Sequence, residues 1–385
     1  MGHLGHHLVS SLLTPLLPFI RDAFVLNYTQ SGLVASSYNL SYGFGQLPGG
    51  WFADRVAPRK LVAVGISGVA VAGLLVGLSS SYTMMIVFFV LMGVVGGTYH
   101  PAAAPLVSAL AEAKNRGRVL GLHQIGGTLS FFSGPLIVAA TAVVLGWRGS
   151  FFVVSIPIVV FGIVFYVLLG RLGYKGKTKE AVSESKDKPA PAETPIIWRY
   201  VAPFIILSIA GETLVNSTIL FTPLFLVDNF GISEGAAAGL LALVYTAGFW
   251  AGPLGGYLSD RFGKVNVMVG ASFLAGPVIY LLSVASFGWA MSMALVGLGL
   301  SMFIRMPVAE SYFISHTSER RRSTVLGIYY FGTRGGPGVV MPIMGNLADR
   351  FGFDTTFTII GASMAAIAII CSLFLWKGRD RPSRA

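Results

Sequence analysis

Charge is what this sequence has least of. Asp, Glu, Lys and Arg make up 11% of its 385 residues, where a soluble globular domain carries about 25%. With 54% hydrophobic residues and a mean hydropathy of +0.73, most of the outer surface must face something other than water. This excludes a soluble enzyme, a nucleic-acid-binding domain and a disordered chain. Cysteine is nearly absent: the single Cys371 lies in the last apolar run and reads as a small buried apolar residue. A Gly-x-x-x-x-Gly-Lys-Ser/Thr phosphate loop is missing, which argues against direct coupling to ATP. Gly-x-Ser-x-Gly and His-Glu-x-x-His are missing too, so no nucleophile or zinc-peptidase motif supports an enzyme. No Cys/His metal spacing occurs. His3, His6 and His7 resemble a clip, but on a helix 3 and 7 share a face while 6 and 7 diverge; neither a metal nor a cofactor is expected. The basic excess, 27 Lys and Arg against 16 Asp and Glu, is no nucleic-acid footprint, because these residues sit between apolar runs rather than along one face.

What is present is a succession of long apolar runs. A membrane-crossing helix needs about 20 mostly apolar residues, and twelve such runs occur, at 4–23, 31–52, 61–80, 83–110, 119–144, 150–170, 199–227, 236–258, 266–285, 288–314, 324–346 and 355–376. The chain is therefore expected to be an all-α polytopic membrane protein. Its domains would be an N-terminal six-helix bundle (1–170), a cytoplasmic linker (171–198), a C-terminal six-helix bundle (199–376) and a cytoplasmic tail (377–385). The basic residues set the orientation. With a cytoplasmic N-terminus, 22 of the 27 Lys and Arg fall on inner segments and only Arg21, Arg148 and Arg350 on outer ones, the positive-inside asymmetry. Both termini are expected inside, with no cleavable signal peptide ahead of the first run.

The two halves match at a constant offset of 206. Asp22 falls on Asp228, Gly49-Gly50 on Gly255-Gly256, Asp54-Arg55 on Asp260-Arg261, Pro101 on Pro307, Gly126 on Gly332 and Gly146 on Gly352. Two halves repeated in the same orientation imply a pseudo-two-fold axis along the membrane normal. The loop after the second run, Gly50-x-x-x-Asp54-Arg55-x-x-x-Arg59-Lys60, returns after the eighth as Gly256-x-x-x-Asp260-Arg261-x-Gly263-Lys264. The doubled motif resembles the signature loop of the major facilitator superfamily, and the resemblance covers essentially the whole chain. The first copy departs from the family pattern, with Ala57-Pro58 where Gly-Arg is usual. Physically the motif suits a latch: its carboxylate can accept hydrogen bonds from a neighbouring helix N-terminus, while Arg55, Arg59, Arg261 and Lys264 pair with other groups. A narrower likeness rests on His3, Tyr99-His100-Pro101, Gln124-Ile125-Gly126-Gly127 leading to Gly134-Pro135, and Glu310. These resemble the fosmidomycin-resistance branch, which exports small molecules in exchange for protons. His7 stands where that branch would lead one to expect an acid.

An ionisable residue inside a span costs about 2.5–3.5 kcal/mol on insertion scales and is a functional candidate by default. His6, His7 and His100 are candidate proton relays. Glu212, 206 positions beyond His6, is the candidate protonation site, since a desolvated carboxyl can load and release a proton near neutral pH. Arg305 is the candidate substrate contact, its planar fork suiting a carboxylate or phosphonate. Tyr99, His123, Gln124, Tyr38, Tyr245 and Arg334 complete the candidate substrate-binding set, with Arg334 also placed where the eleventh run can bend. Glu310, near Arg320–Arg322 in sequence, is expected to form an inner-gate ion pair. The leading expectation is a monomeric, proton-coupled secondary transporter of the bacterial inner membrane. It would move a small organic, anionic or amphipathic solute by alternating access as an exporter. Its partners are the solute, protons and the bilayer, with no nucleic acid. The alternatives are an organic-anion uptake symporter, and a membrane sensor or lipid-processing protein on the same scaffold.

Overall fold

In a computed structural model of the chain, residues 1–53, 55–112, 115–171, 198–317 and 319–376 are described, and every regular element among them is helical. The linker 172–197, the tail 377–385 and Asp54 lie outside them. Two compact units form, Met1–Phe24 with Ser37–Glu193, and Val25–Ser36 with Thr194–Ala385.

The N-terminal unit holds α1 (Gly2–Ser11), α2 (Leu13–Phe24), most of α3 (Tyr28–Ala53), α4 (Pro58–Ala63), a π-helical turn at Val64–Gly68, α5 (Val69–Gly77), α6 (Tyr82–Gly97), α7 (Tyr99–Leu110) and α8 (Arg116–Arg171). The C-terminal unit holds α9 (Trp198–Phe230), α10 (Glu234–Thr246), a 3-10 turn at Ala247–Phe249, α11 (Ala251–Phe262), α12 (Lys264–Val284), α13 (Trp289–Phe303), α14 (Arg305–His316) and α15 (Glu319–Leu375). Eight of the described helical stretches are long and apolar enough to cross a membrane. Two of these run for 54 and 51 residues, more than twice a single crossing, and each folds back at one residue. The chain is thus the polytopic all-α protein that the apolar runs predict. Exposed Val160, Ile163, Val164, Val167 and Leu168 line one stretch of α8, an apolar surface that only lipid or a partner would tolerate.

Several predicted spans are not single helices. The first breaks at Leu12, between α1 and α2; the fourth at Thr98; the eighth at the 3-10 turn; the tenth at Ile304. The fifth and sixth have no loop between them. They meet at Gly146, whose φ of 68° and ψ of 172° interrupt α8, and Gly352 interrupts α15 with φ 76° and ψ 171°. A Cβ is not tolerated in that region, so glycine alone permits the reversal.

The 206-residue repeat is realised in backbone geometry. Gly146 and Gly352 are equivalent, and so are the breaks at Thr98 and Ile304. Gly93 lies against Tyr38 and Ser41, Gly299 against Val244 and Ala247; Gly126 lies against His3 and Leu4, Gly332 against Ile209. In each half the first span packs on the fifth and the third on the fifth–sixth pair, α1 and α5 on α8, α9 and α12 on α15.

Candidate functional site

Five of the chain's six histidines and two tyrosines meet in the N-terminal unit. His3 and His7 lie one turn apart on α1, so they share a face. The His3 Nδ1–H donates to the His123 carbonyl at 2.7 Å, and the two rings stack with centroids 4.2 Å apart. His6 Nδ1 donates to the Gly65 carbonyl at 2.9 Å, and the His6 ring stacks on Tyr99 at 4.2 Å. Gly65 sits in the π-helical turn, and a Cβ there would fall 2.8 Å from Tyr99 Cβ, so glycine sets this approach. His7 Nε2 lies 3.1 Å from His100 Nε2. Tyr42 Oη is 3.5 Å from His6 Nε2, and Tyr38 packs on Tyr42. Gln124 is exposed on α8 and stands outside the ring cluster. Gly127 leaves room for the His3 ring, which a Cβ would meet at 2.7 Å.

A second cluster fills the C-terminal unit. Glu212, half-buried on α9, accepts from Asn216 Nδ2 at 2.9 Å and interacts electrostatically with both Arg334 and Arg305. Arg305, the first residue of α14, is 1% exposed. Its Nη2 lies 3.5 Å from the Ala271 carbonyl, and its guanidinium rests where a Gly211 side chain would otherwise stand. Buried Tyr329 is coupled electrostatically to Glu212, Glu310 and Arg334. Tyr330 Oη donates to Glu310 Oε1 at 2.6 Å. Glu310 thus has a neutral donor from α15; the side chains of Arg320–Arg322, its expected ion-pair partners, lie outside the described residues. Tyr245 is buried on α10. Tyr329, one of the span aromatics suited to line a cavity, is the residue onto which the repeat carries His123; Asn216 carries no such signal in the sequence.

The two clusters are built on the same four positions. His6, Tyr99, His123 and Gly65 correspond to Glu212, Arg305, Tyr329 and Ala271 at the constant offset. In one half His6 bonds the Gly65 carbonyl; in the other Arg305 reaches toward the Ala271 carbonyl. One scaffold carries imidazole and phenol side chains in the first unit and a carboxylate, a guanidinium and a phenol in the second.

Among the described residues, the basic side chains of the loop motif make contacts within their own unit, and Asp54 lies outside those residues. Arg55 is exposed, lies 3.9 Å over the Trp51 ring and donates to the Trp51 carbonyl. Arg59 lies over Tyr166. Arg261 donates to Tyr257 Oη at 3.2 Å and Lys264 to Ser315 Oγ at 2.9 Å. Gly50 and Gly256 fall within α3 and α11. Asp260 is exposed, and no hydrogen bond to it is seen among the described residues. A carboxylate cap is made by Asp349. It accepts from the Tyr28 and Thr29 amides at 2.8 and 2.9 Å and from Thr29 Oγ1 at 2.6 Å, closing the open N-terminus of α3. Asp349 belongs to Gly345-x-x-x-Asp349-Arg350-x-Gly352, a third copy of the motif spacing.

Comparison with known proteins gives the following. The family model described as Major Facilitator Superfamily matches residues 1–302 and 205–385. The chain is 22% identical to the glycerol-3-phosphate transporter of Bacillus subtilis, over 99% of this chain and 91% of that protein. It is 27% identical to a probable sulfoacetate transporter of Cupriavidus necator, over 93% and 87%. Likeness to the fosmidomycin resistance protein of Escherichia coli is 23% identity, over 93% and 87%. Among solved structures, a POT family transporter in complex with 5-aminolevulinic acid superimposes with a TM-score of 0.80 at 13% identity, covering 98% of this chain and 95% of that one. A bacterial homologue of the lysosomal transporter Spinster gives 0.73 at 16% identity, covering 99% and 97%. At these identities the structural likeness concerns the fold.

Proposed function

Since the chain belongs to the major facilitator superfamily, a superfamily whose members found here are transporters of various solutes, we propose that it is a proton-coupled transporter of a small organic anion, working by alternating access. The observation that carries this reading is Glu212 in one network with Arg305, Arg334 and Glu310. With all four ionised, two carboxylates balance two guanidinium groups. A proton on Glu212 leaves the network with excess positive charge in a poorly solvated setting, where charges interact strongly. An anion entering beside Arg305 offsets that excess. Proton and anion therefore favour each other's binding, and the coupling is reciprocal. Arg305 supplies the fork for a carboxylate, phosphate or sulfonate, in keeping with relatives named for glycerol-3-phosphate and sulfoacetate.

Co-binding favours movement of proton and solute in the same direction. A second reading, export in exchange for protons, is favoured by the likeness to the fosmidomycin resistance protein and by the motifs shared with that branch. On this reading a proton arriving at Glu212 displaces the solute rather than recruiting it. We place the protein in the bacterial inner membrane as a monomer with both termini cytoplasmic, and assign it no enzymatic activity.

Two measurements test this. A thermal-shift screen of purified protein against small phosphate, sulfonate and carboxylate anions identifies a binder. Proteoliposomes then report direction: an inward proton gradient accumulates the anion in the symport reading and depletes it in the exchange reading. Glu212→Gln should bind the anion at near wild-type affinity yet lose gradient-driven accumulation. Full gradient-driven transport by that variant would overturn the assignment of Glu212.

A further inference from the structure

The histidine cluster of the N-terminal unit stands apart from the Glu212–Arg305 network on which the transport reading rests. We propose that His3, His7 and His100 form a binding site for one late first-row divalent cation of the Zn²⁺ or Co²⁺ class.

One ring nitrogen from each of the three histidines lies within 4.8 Å of the others. The His7 and His100 Nε2 atoms are already 3.1 Å apart. Two imidazoles on a tetrahedral zinc, each at about 2.0–2.1 Å, stand about 3.3 Å from each other, so this pair sits at the edge length of such a site. The third ligand needs only a small inward swing.

His3 is prepared for that role. Its Nδ1–H is committed to the His123 carbonyl at 2.7 Å, which places the lone pair of the neutral ring on Nε2. A ring whose second nitrogen donates to a backbone carbonyl is the usual arrangement around a ligating histidine, and it fixes both tautomer and orientation. The stacked His123 ring, 4.2 Å away and 3° from parallel, holds the His3 plane, while Gly127 leaves the space that ring occupies.

The donor set decides the class of ion. Imidazole nitrogens without a carboxylate suit Zn²⁺, Co²⁺, Ni²⁺ or Cu²⁺ and disfavour Mg²⁺ and Ca²⁺, which require oxygen. Three ligands leave a fourth position open for water or an anion. His3 and His7 at one-turn spacing supply a chelating pair from a single helix, and His100 at the start of α7 closes it. His6 stands apart, its Nδ1 held by the Gly65 carbonyl and its ring on Tyr99.

The site is independent of the transport assignment, and its test reads metal rather than flux. Tag-free protein in detergent is titrated with Co²⁺ alone, and the zinc-loaded protein is studied by X-ray absorption. Expected are one bound ion per chain, intense visible ligand-field bands of a tetrahedral centre displaced by Zn²⁺, and an absorption spectrum showing imidazole scattering at about 2.0 Å. His7→Gln and His100→Gln should each weaken Co²⁺ binding at least tenfold, while His316→Gln leaves it unchanged. Helical circular dichroism and gel filtration check that the variants are folded. An oxygen-only octahedral zinc spectrum in the wild-type protein, the absence of stoichiometric binding, or equal affinity in the folded His7→Gln variant would each overturn the proposal and leave the 3.1 Å pair as a hydrogen bond between rings.

Discussion

At the scale of single residues, the arrangement around Arg305 makes a sharp demand on one side chain. Its guanidinium is buried at 1% exposure and occupies the space beside Gly211. Arg305→Lys keeps the charge but loses the planar fork. If Arg305 binds the anion, affinity should fall by about tenfold to a hundredfold, the worth of one charge-assisted hydrogen bond at about 1.5–3 kcal/mol. Calorimetric titration with the anion identified by thermal shift checks this, and unchanged affinity would remove Arg305 from the binding role. The residues of both clusters were legible in the sequence because ionisable groups are rare in apolar runs, so His6, His100, Glu212, Arg305 and Arg334 stood out. Their partners were less so. Gly65 and Ala271 act through backbone carbonyls, which leave no mark in composition. Asn216 and Tyr329 look like ordinary polar and aromatic residues of a span until Glu212 is seen beside them.

At the scale of elements, the reversals at Gly146 and Gly352 are the most exacting feature. Each sits at positive φ with ψ near 170°, a conformation essentially reserved for glycine and costing other residues about 1–3 kcal/mol. Gly352→Ala should therefore lower the melting temperature measurably, whereas Gly252→Ala, with no atom near its Cβ position and no positive φ, should leave it close to wild type; a scanning fluorescence melt compares the two. The apolar runs gave the spans their order and length, because each must match the bilayer. They could not give the breaks at Leu12, Thr98 and Ile304, since an apolar run extends on both sides of each. Nor could they separate a loop from a corner at 145–149. The spacing of the loop motif was readable, but its use was not: the helix cap is made by Asp349 on Tyr28 and Thr29, residues 321 and 320 positions away.

At the scale of the whole molecule, a constant offset carries one internal architecture through two halves while the chemistry at equivalent positions diverges, imidazole and phenol in one, carboxylate and guanidinium in the other. The repeat is visible in the sequence as Gly, Pro and Asp-Arg matches, and the structure turns one such match into packing, with Gly93 and Gly299 each pressed on the second span of its half. The asymmetric distribution of Lys and Arg predicts that a green fluorescent protein fused after Ala385 will fluoresce in bacterial cells, as it does on the cytoplasmic side; a dark but membrane-inserted fusion would invert the topology. The one-residue corners then have a practical meaning. Reversals at Gly146 and Gly352, with a connection as brief as 231–233 in the C-terminal unit, offer a protease almost no extended backbone to thread into its cleft. Intact cells should shield the protein from digestion, and everted membranes should expose it.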